Sequence, residues 1–368
     1  MLIQFAFFAF AAAIEPQASD SIATRLQTIT DSVVRTRPRI PGVVLYVHDT
    51  RNGKEWSIAA GQSDTARDIA LKPNQPMRVA SVTKTYTATA ILRLVEKGTI
   101  KLSDPLSKHL PREFAVELER DGFKLDSITI EHMLGHRSGL NEHTTPSYIG
   151  AALGNPSKRW TRMEQVKWLV DSLQPVGPPG AQFKYSDTGY VLLGAIIERY
   201  TGKNLGAGVR ELLDYNKLGL RQTWFETLEP APPGVADRVH QYMGGVDTYD
   251  SDPSIDLYGG GGVVAPLSDI AKFFTALVSG RVFEKRATLD TMMVMRPGIQ
   301  GMMEGYGLGI FRINSGGRRG YGHSGFWGVA VAHYPEEGVT IAAAVNEQSV
   351  ANSVFGIMTA ALNSVRPR

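Results

Sequence analysis

Ser81-Val82-Thr83-Lys84 sets a hydroxyl and an amine three residues apart. On a helix that spacing is just under one turn, so both side chains leave the same face and can meet. A serine hydroxyl is a poor nucleophile near neutral pH and needs a neighbouring group to take its proton. A lysine can do so only if burial or nearby positive charge lowers its pKa. A pattern this short draws its meaning from its setting.

Two further clusters bear on chemistry. Pro178-Pro179-Gly180 precedes Phe183-Lys184-Tyr185-Ser186-Asp187, just before a helical pattern over 190–200. A tyrosine held at a loop–helix junction can relay protons if a nearby cation favours its phenolate. Tyr321-Gly322-His323-Ser324-Gly325-Phe326 reads as a strand whose glycines let a substrate approach the backbone.

The elements that must position these residues can be read from periodicity. Met77 to Ala80 ends a strand or leads into a helix from Ser81, where Ala88, Ile91, Leu92 and Val95 recur at helical spacing and Gly98 supplies the stop. Ser81 in the first turn would feel the positive helix end and its free N–H groups. Ser19 to Arg35 reads as a first helix, and Val43–His48 and Trp56–Ala60 as a hairpin turned at Asn52-Gly53. Roughly Ser103 to Gly245 carries helical patterns, among them 131–136, 163–172 and 190–200. A helix follows over Ser268–Val278, then strands over 308–313, 328–334 and 339–345 and a closing helix from about Ser349. Strands at both ends with helices between imply one sheet assembled from both ends, and a helical insertion overhanging a cleft. The expected division is 19–102 plus 246–368 for the sheet region and 103–245 for the helical region.

Composition narrows the function classes. The 368 residues are 43% hydrophobic and 20% charged, as in a soluble globular protein with a substantial core. A net charge of +3 is too small and dispersed to argue for nucleic acid or a membrane surface. The absence of cysteine rules out disulfides, a thiol nucleophile and thiolate metal sites. Residues 1–18 begin with an apolar run that ends in Ala11-Ala12-Ala13 before Glu15-Pro16. They read as a signal peptide, too short for a comfortable membrane span and lacking a leading Lys or Arg. Periplasmic or secreted localisation is expected, with a retained anchor as the rival and no membrane span in the mature chain.

Taken in order, the three clusters resemble the penicillin-recognising serine hydrolases: class C β-lactamases, D-alanyl-D-alanine carboxypeptidases, D-aminopeptidases and related esterases. Their elements are S-x-x-K, Y-x-N and K-T-G or H-T-G. Ser81 and Lys84 match the first, Tyr185-Ser186-Asp187 the second with Asp for Asn, and His323-Ser324-Gly325 the third in its histidine form. Met133 to Leu140 is similar to the family's L-x-x-H-x-S-G-L loop and Tyr306 to Gly309 to its Y-G-x-G, so the resemblance covers roughly Ile40 to Leu362. It implies an α+β, β-lactamase/transpeptidase-like fold: an antiparallel sheet flanked by helices with an inserted, mostly helical region. By the same resemblance Ser81 would be acylated, Lys84 would activate it and Tyr185 would carry protons. The backbone N–H groups of Ser81 and Phe326 would form the oxyanion hole. His323, Ser324 and Gly325 would line the substrate edge, and Asp187 would face the substrate or Lys84. No cofactor or metal is implied; the partner is a small-molecule or peptide substrate, and the oligomeric state is left open.

The departures carry consequences. An ionised Asp187 can only accept hydrogen bonds, and could hold Lys84 charged and so favour Tyr185 as the working base. A histidine at 323 is largely neutral near pH 7, which weakens recognition of a substrate carboxylate. These changes favour peptidase, amidase or esterase action over β-lactam hydrolysis. A non-turnover sensor of β-lactams or peptidoglycan fragments is the alternative of another class. Glu131-His132 to His136 lacks the glutamate that a zinc helix needs directly after its first histidine. Gly259–Gly262 lacks the Lys-Ser/Thr of a phosphate loop and reads as a flexible turn near the cleft.

Overall fold

The computed structural model describes residues 21–296 and 303–367. The apolar segment 1–18 and the expected helix start at Ser19 lie outside the described residues. Among these residues, no helix is long and apolar enough to cross a membrane.

Alternating side chains of Gly42–Asp49 explain how the central sheet is buried on both faces. Val43, Leu45 and Val47 pack with Leu26 of helix Ser21–Thr36 and with Ile357 and Leu362 of helix Ser353–Val365. Val44 and Tyr46 point the other way, into the larger core shared with Ile91, Leu92 and Leu277. The continuous apolar run Val43–Val47 is therefore one strand serving two cores. Burying each aliphatic side chain contributes about 1.5–3 kcal/mol, which pins the register: Val43 opposite Val345, Leu45 opposite Ala343, Val47 opposite Ile341.

The sheet has eight strands, every neighbouring pair antiparallel. Their order is Ile69–Ala70, Lys54–Asp64, Gly42–Asp49, Val339–Val345, Val329–Tyr334, Arg318–Gly325, Phe311–Ser315 and Met303–Tyr306. Strands from the two ends of the chain thus meet at its centre, with the helices lying between them in sequence. This is the expected α+β architecture. A second, three-stranded sheet joins Met77–Arg78, Val263–Ala265 and Trp224–Phe225, and leads the chain into Ser81.

Some boundaries move for physical reasons. The strand expected over 308–313 begins only at Phe311, because 307–310 form a turn in which Gly307 N–H donates to the Ile310 carbonyl. Gly309 there has φ +81°, and a Cβ on it would lie 2.2 Å from the Ala88 Cβ. This turn braces the helix that carries Lys84. The closing helix starts at Ser353, after a 3-10 turn over Gln348–Val350.

Candidate active site

Ser81 sits in a 3-10 turn, Ala80–Val82, that runs straight into helix Thr83–Glu96. Eleven of that helix's 14 residues are buried, which excludes an ordinary surface helix. Its threonines tie it to its surroundings: Thr83 Oγ1 accepts from Val263 N–H, while Thr85 and Thr87 donate to the carbonyls of Gly309 and Gly259. Ala80, just before the serine, has φ +47°, a left-handed conformation that costs an alanine about 1–2 kcal/mol. The surrounding packing holds the strain and turns the Ser81 hydroxyl toward the pocket.

Lys84 is fully buried, and its ammonium uses all three donors. It donates to Ser81 Oγ at 2.9 Å and to the Gly260 carbonyl at 2.8 Å, and it pairs with the Asp187 carboxylate. Burial alone would pull its pKa down; the charges of Asp187, Tyr185 and Asp256 and the hydrogen bond it donates to Asp187 overcome that and hold it above the ordinary lysine value. Burial likewise pushes Asp187 up, and Lys84 more than reverses it, so the carboxyl stays below its usual range. The lysine is therefore a fixed cation beside the nucleophile.

Tyr185 completes the group. The Lys84 ammonium lies 4.9 Å from its ring centroid, and Ser81 and Lys84 both act to lower the phenol's pKa. Burial and the Asp187 charge raise the phenol's pKa against the pull of Lys84, so it stays protonated near neutral pH. His136 packs on its ring at 4.2 Å between centroids and accepts from Ser186 N–H through Nδ1. Ser186 caps helix Asp187–Thr201, fixing the tyrosine one residue upstream.

The third cluster occupies the end of strand Arg318–Gly325. A Cβ on Gly325 would lie 2.1 Å from the Val79 carbonyl oxygen, so only glycine lets this strand abut the turn before Ser81. That contact brings Phe326 beside Ser81 on the wall of one small pocket, lined also by Thr144, Ile149, Asp187, Ile255, Asp256 and Trp327. Ser324 and Gly325, just upstream of Phe326, are half-buried and are not among the residues that line the pocket. The His323 ring is not in the lining: it is fully buried against Tyr306 and Phe311. The Ser324 carbonyl can only accept, so Nδ1 carries the proton at 2.7 Å, and Nε2 accepts from the Tyr306 hydroxyl at 3.2 Å. Burial, with the Lys84 charge, pulls this histidine down to about 3.

Three contributors were not among the site residues expected from sequence. Glu142 accepts from the Asp187 and Thr144 N–H groups, at 2.5 and 2.9 Å. Burial, reinforced by the Asp187 charge, pushes it up to about 8, and the same causes push Asp256 up to about 7. Gly260 supplies a carbonyl to Lys84. The segment 259–262, expected as a flexible turn, is packed instead: Gly259 to Gly261 are buried, and a Cβ on Gly261 would lie 2.0 Å from the Asp256 carboxylate. Glu142 lies in a loop with no motif of its own. The Asp256 and Gly260 contacts depend on a backbone path that spacing does not encode. His132 and His136 do not converge: His132 caps its own short helix through Thr129, while His136 packs under Tyr185. A larger, open cleft around Arg112 and Arg199 is lined by neither Ser81, Lys84 nor Tyr185.

Comparison with known proteins identifies the family and the fold. A penicillin-binding protein 4 of Amycolatopsis lactamdurans is 27% identical over 349 residues, covering 88% of this chain and 84% of that protein. Esterase EstB of Burkholderia gladioli is 33% identical over 232 residues, 60% of this chain; the match spans 57% of the esterase's own length. The D-amino acid amidase of Ochrobactrum anthropi SV3, solved with D-phenylalanine, shares the fold at TM-score 0.81 and 24% identity, over 94% of this chain and 99% of that one. The family model described as beta-lactamase matches residues 30–359, so the chain belongs to the beta-lactamase family, a serine-hydrolase fold with esterase, penicillin-binding and amidase relatives.

Proposed function

We propose that this protein is a serine hydrolase that cleaves esters or amides through an acyl-enzyme on Ser81. The observation that carries this is the hydrogen bond between one hydroxyl and a buried ammonium that lies over a phenol ring. Lys84 cannot be the proton acceptor, because Asp187 keeps it charged and its three N–H groups are committed. It acts as an electrostatic anchor that favours the developing Ser81 alkoxide. Tyr185 serves as the shuttle: its oxygen takes the Ser81 proton as its own proton passes to the leaving group, so no free phenolate is needed. Such proton transfer contributes about 10²–10⁴-fold. The N–H groups of Ser81 and Phe326 bind the oxyanion, and the same phenol then activates the deacylating water.

The pocket lining favours a substrate class. Among the described residues that line it are two carboxylates, Asp187 and Asp256, and no basic side chain. A carboxylate at the recognised end of a peptide or β-lactam would meet like charge there and lose about 1 kcal/mol or more. Neutral esters and amides, and those bearing an ammonium on the acyl portion, fit. An esterase or amidase is therefore favoured over a carboxypeptidase or β-lactamase. Parallel assays with p-nitrophenyl esters, D- and L-amino acid p-nitroanilides, a D-alanyl-D-alanine peptide and a chromogenic cephalosporin test this, with Ser81→Ala as control. Preferred turnover of the D-alanyl-D-alanine peptide or the cephalosporin would overturn the substrate reading, and undiminished turnover by Ser81→Ala the mechanism.

A further inference from the structure

Gln241 lies outside the pocket lining and carries no motif, yet its buried amide touches both walls of the expected oxyanion hole. The residue is only 2% exposed. Oε1 accepts from the Arg78 N–H at 3.0 Å, while Nε2 donates to the Arg78 carbonyl at 3.1 Å and to the Trp327 carbonyl at 3.2 Å. Arg78 is three residues before Ser81, and Trp327 directly follows Phe326. One planar amide thus spans the two backbone segments whose N–H groups must converge on a single oxygen.

The crossbar is itself anchored. The Gln241 carbonyl accepts from Thr248 N–H and Oγ1, and the Asn346 carboxamide, beyond the central strand Val339–Val345, donates to the His240 carbonyl. The Asn346 carbonyl accepts from Tyr242 N–H. The Arg78 guanidinium is held in turn by Glu226 and by the Thr248 and Ser251 carbonyls. Separation of the two donors is thereby tied to the central sheet. A buried glutamine whose hydrogen bonds all end on rigid backbone has little freedom to relax, so its removal would move the walls.

We infer that Gln241 is a positioning residue that sets the gap between the Ser81 and Phe326 N–H groups. The inference rests on the serine-hydrolase reading above. The test compares wild type with Gln241→Met, which keeps bulk and loses the amide, and with Gln241→Glu, which keeps shape and loses the two donors. The readouts are p-nitrophenyl acetate kinetics, inhibition by phenylboronic acid (whose tetrahedral Ser81 adduct occupies the hole) and thermal melting. In a folded variant kcat falls about 10–100-fold with KM nearly unchanged, since displaced oxyanion donors act only in the transition state. Boronate affinity falls in proportion. Wild-type kcat and boronate affinity in either folded variant would overturn the role. So would failure of both variants to fold, which would make Gln241 a residue of stability alone. Absence of Ser81-dependent turnover in the wild type would instead remove the hydrolase reading beneath it.

Discussion

Replacing Asp187 by asparagine would restore the amide found in the Y-x-N element of related enzymes, and it perturbs the arrangement on which the proposed chemistry depends. In this protein the carboxylate is the strongest influence opposing the desolvation of Lys84. A contact ion pair near a protein surface is worth about 4 kcal/mol at an effective dielectric of 20, so its loss weakens the lysine's hold on its proton by about 10³-fold. The introduced carboxamide could still accept one N–H, and Ser81 and Gly260 would accept the others, so the variant should fold. Leaving a buried charge without its partner still costs about 3 kcal/mol, several degrees in Tm. The pH dependence has a definite sign. Lys84, held above its unfolded value, gives the wild type stability that is present below about pH 10 and lost as pH rises past it; with that hold weakened the variant lacks this gain, so the deficit against wild type shrinks as pH rises above about 10. In the wild type the pair is fully charged from about pH 6 to 9 and contributes no slope there. Kinetically, Asp187→Asn should lose kcat/KM as pH rises from about 6 toward 10, about tenfold or more at the alkaline end, because a neutral Lys84 no longer favours the Ser81 alkoxide. Urea titrations and kcat/KM profiles across that range are the assay. Superimposable curves for the two proteins would refute the claim that Asp187 keeps Lys84 charged.

Other perturbations separate the remaining parts. Tyr185→Phe should keep the fold and lower kcat by about 10²–10⁴, measured by ester hydrolysis and circular dichroism; full activity would dismiss the shuttle. Gly325→Ala drives a Cβ to 2.1 Å from the Val79 oxygen, so it should cost about 1–3 kcal/mol and most of the activity. Unchanged melting and turnover would show that the close approach is not needed. His323 and His143, depressed by burial to about 3 and 4, bind protons more weakly folded than unfolded. Stability should therefore fall as pH drops below about 6.5 toward those values, and His323→Gln should flatten that slope in urea titrations. Asp256 and Glu142, pushed up to about 7 and 8, gain negative charge as pH rises through those values. KM for an ammonium-bearing amide should fall from about pH 6 to 8 and Asp256→Asn should blunt the fall; a flat KM in wild type would argue against the acidic pocket.

Which parts of the fold and site are legible in the sequence depends on which features are local. Ser81 and Lys84 share a face because helix geometry alone puts them there, and the strand Gly42–Asp49 shows itself through an apolar run bounded by Asn52-Gly53. Tyr185 stands out by its place at a loop–helix junction and Phe326 only through motif resemblance; that both come near the Ser81–Lys84 pair is the work of tertiary packing. The Ala80 strain leaves no trace, since alanine ordinarily avoids positive φ. The run Gly259–Gly262 is ambiguous in isolation, because glycine serves a loose turn and a tightly packed backbone equally well. Only the neighbours Asp256, Tyr190 and Asp187 decide for the latter. His323 fits its motif by position, while its ring orientation depends on the Ser324 carbonyl and Tyr306, which no spacing rule reveals.

The most direct measurement is rapid-quench mass spectrometry of the protein mixed with a slowly deacylated p-nitrophenyl ester, followed by peptide mapping. The account predicts one acyl group, on the peptide containing Ser81, forming at the rate of p-nitrophenol release and absent from Ser81→Ala. An acyl group on another residue, or turnover in which no covalent species forms and Ser81→Ala keeps pace, would contradict it.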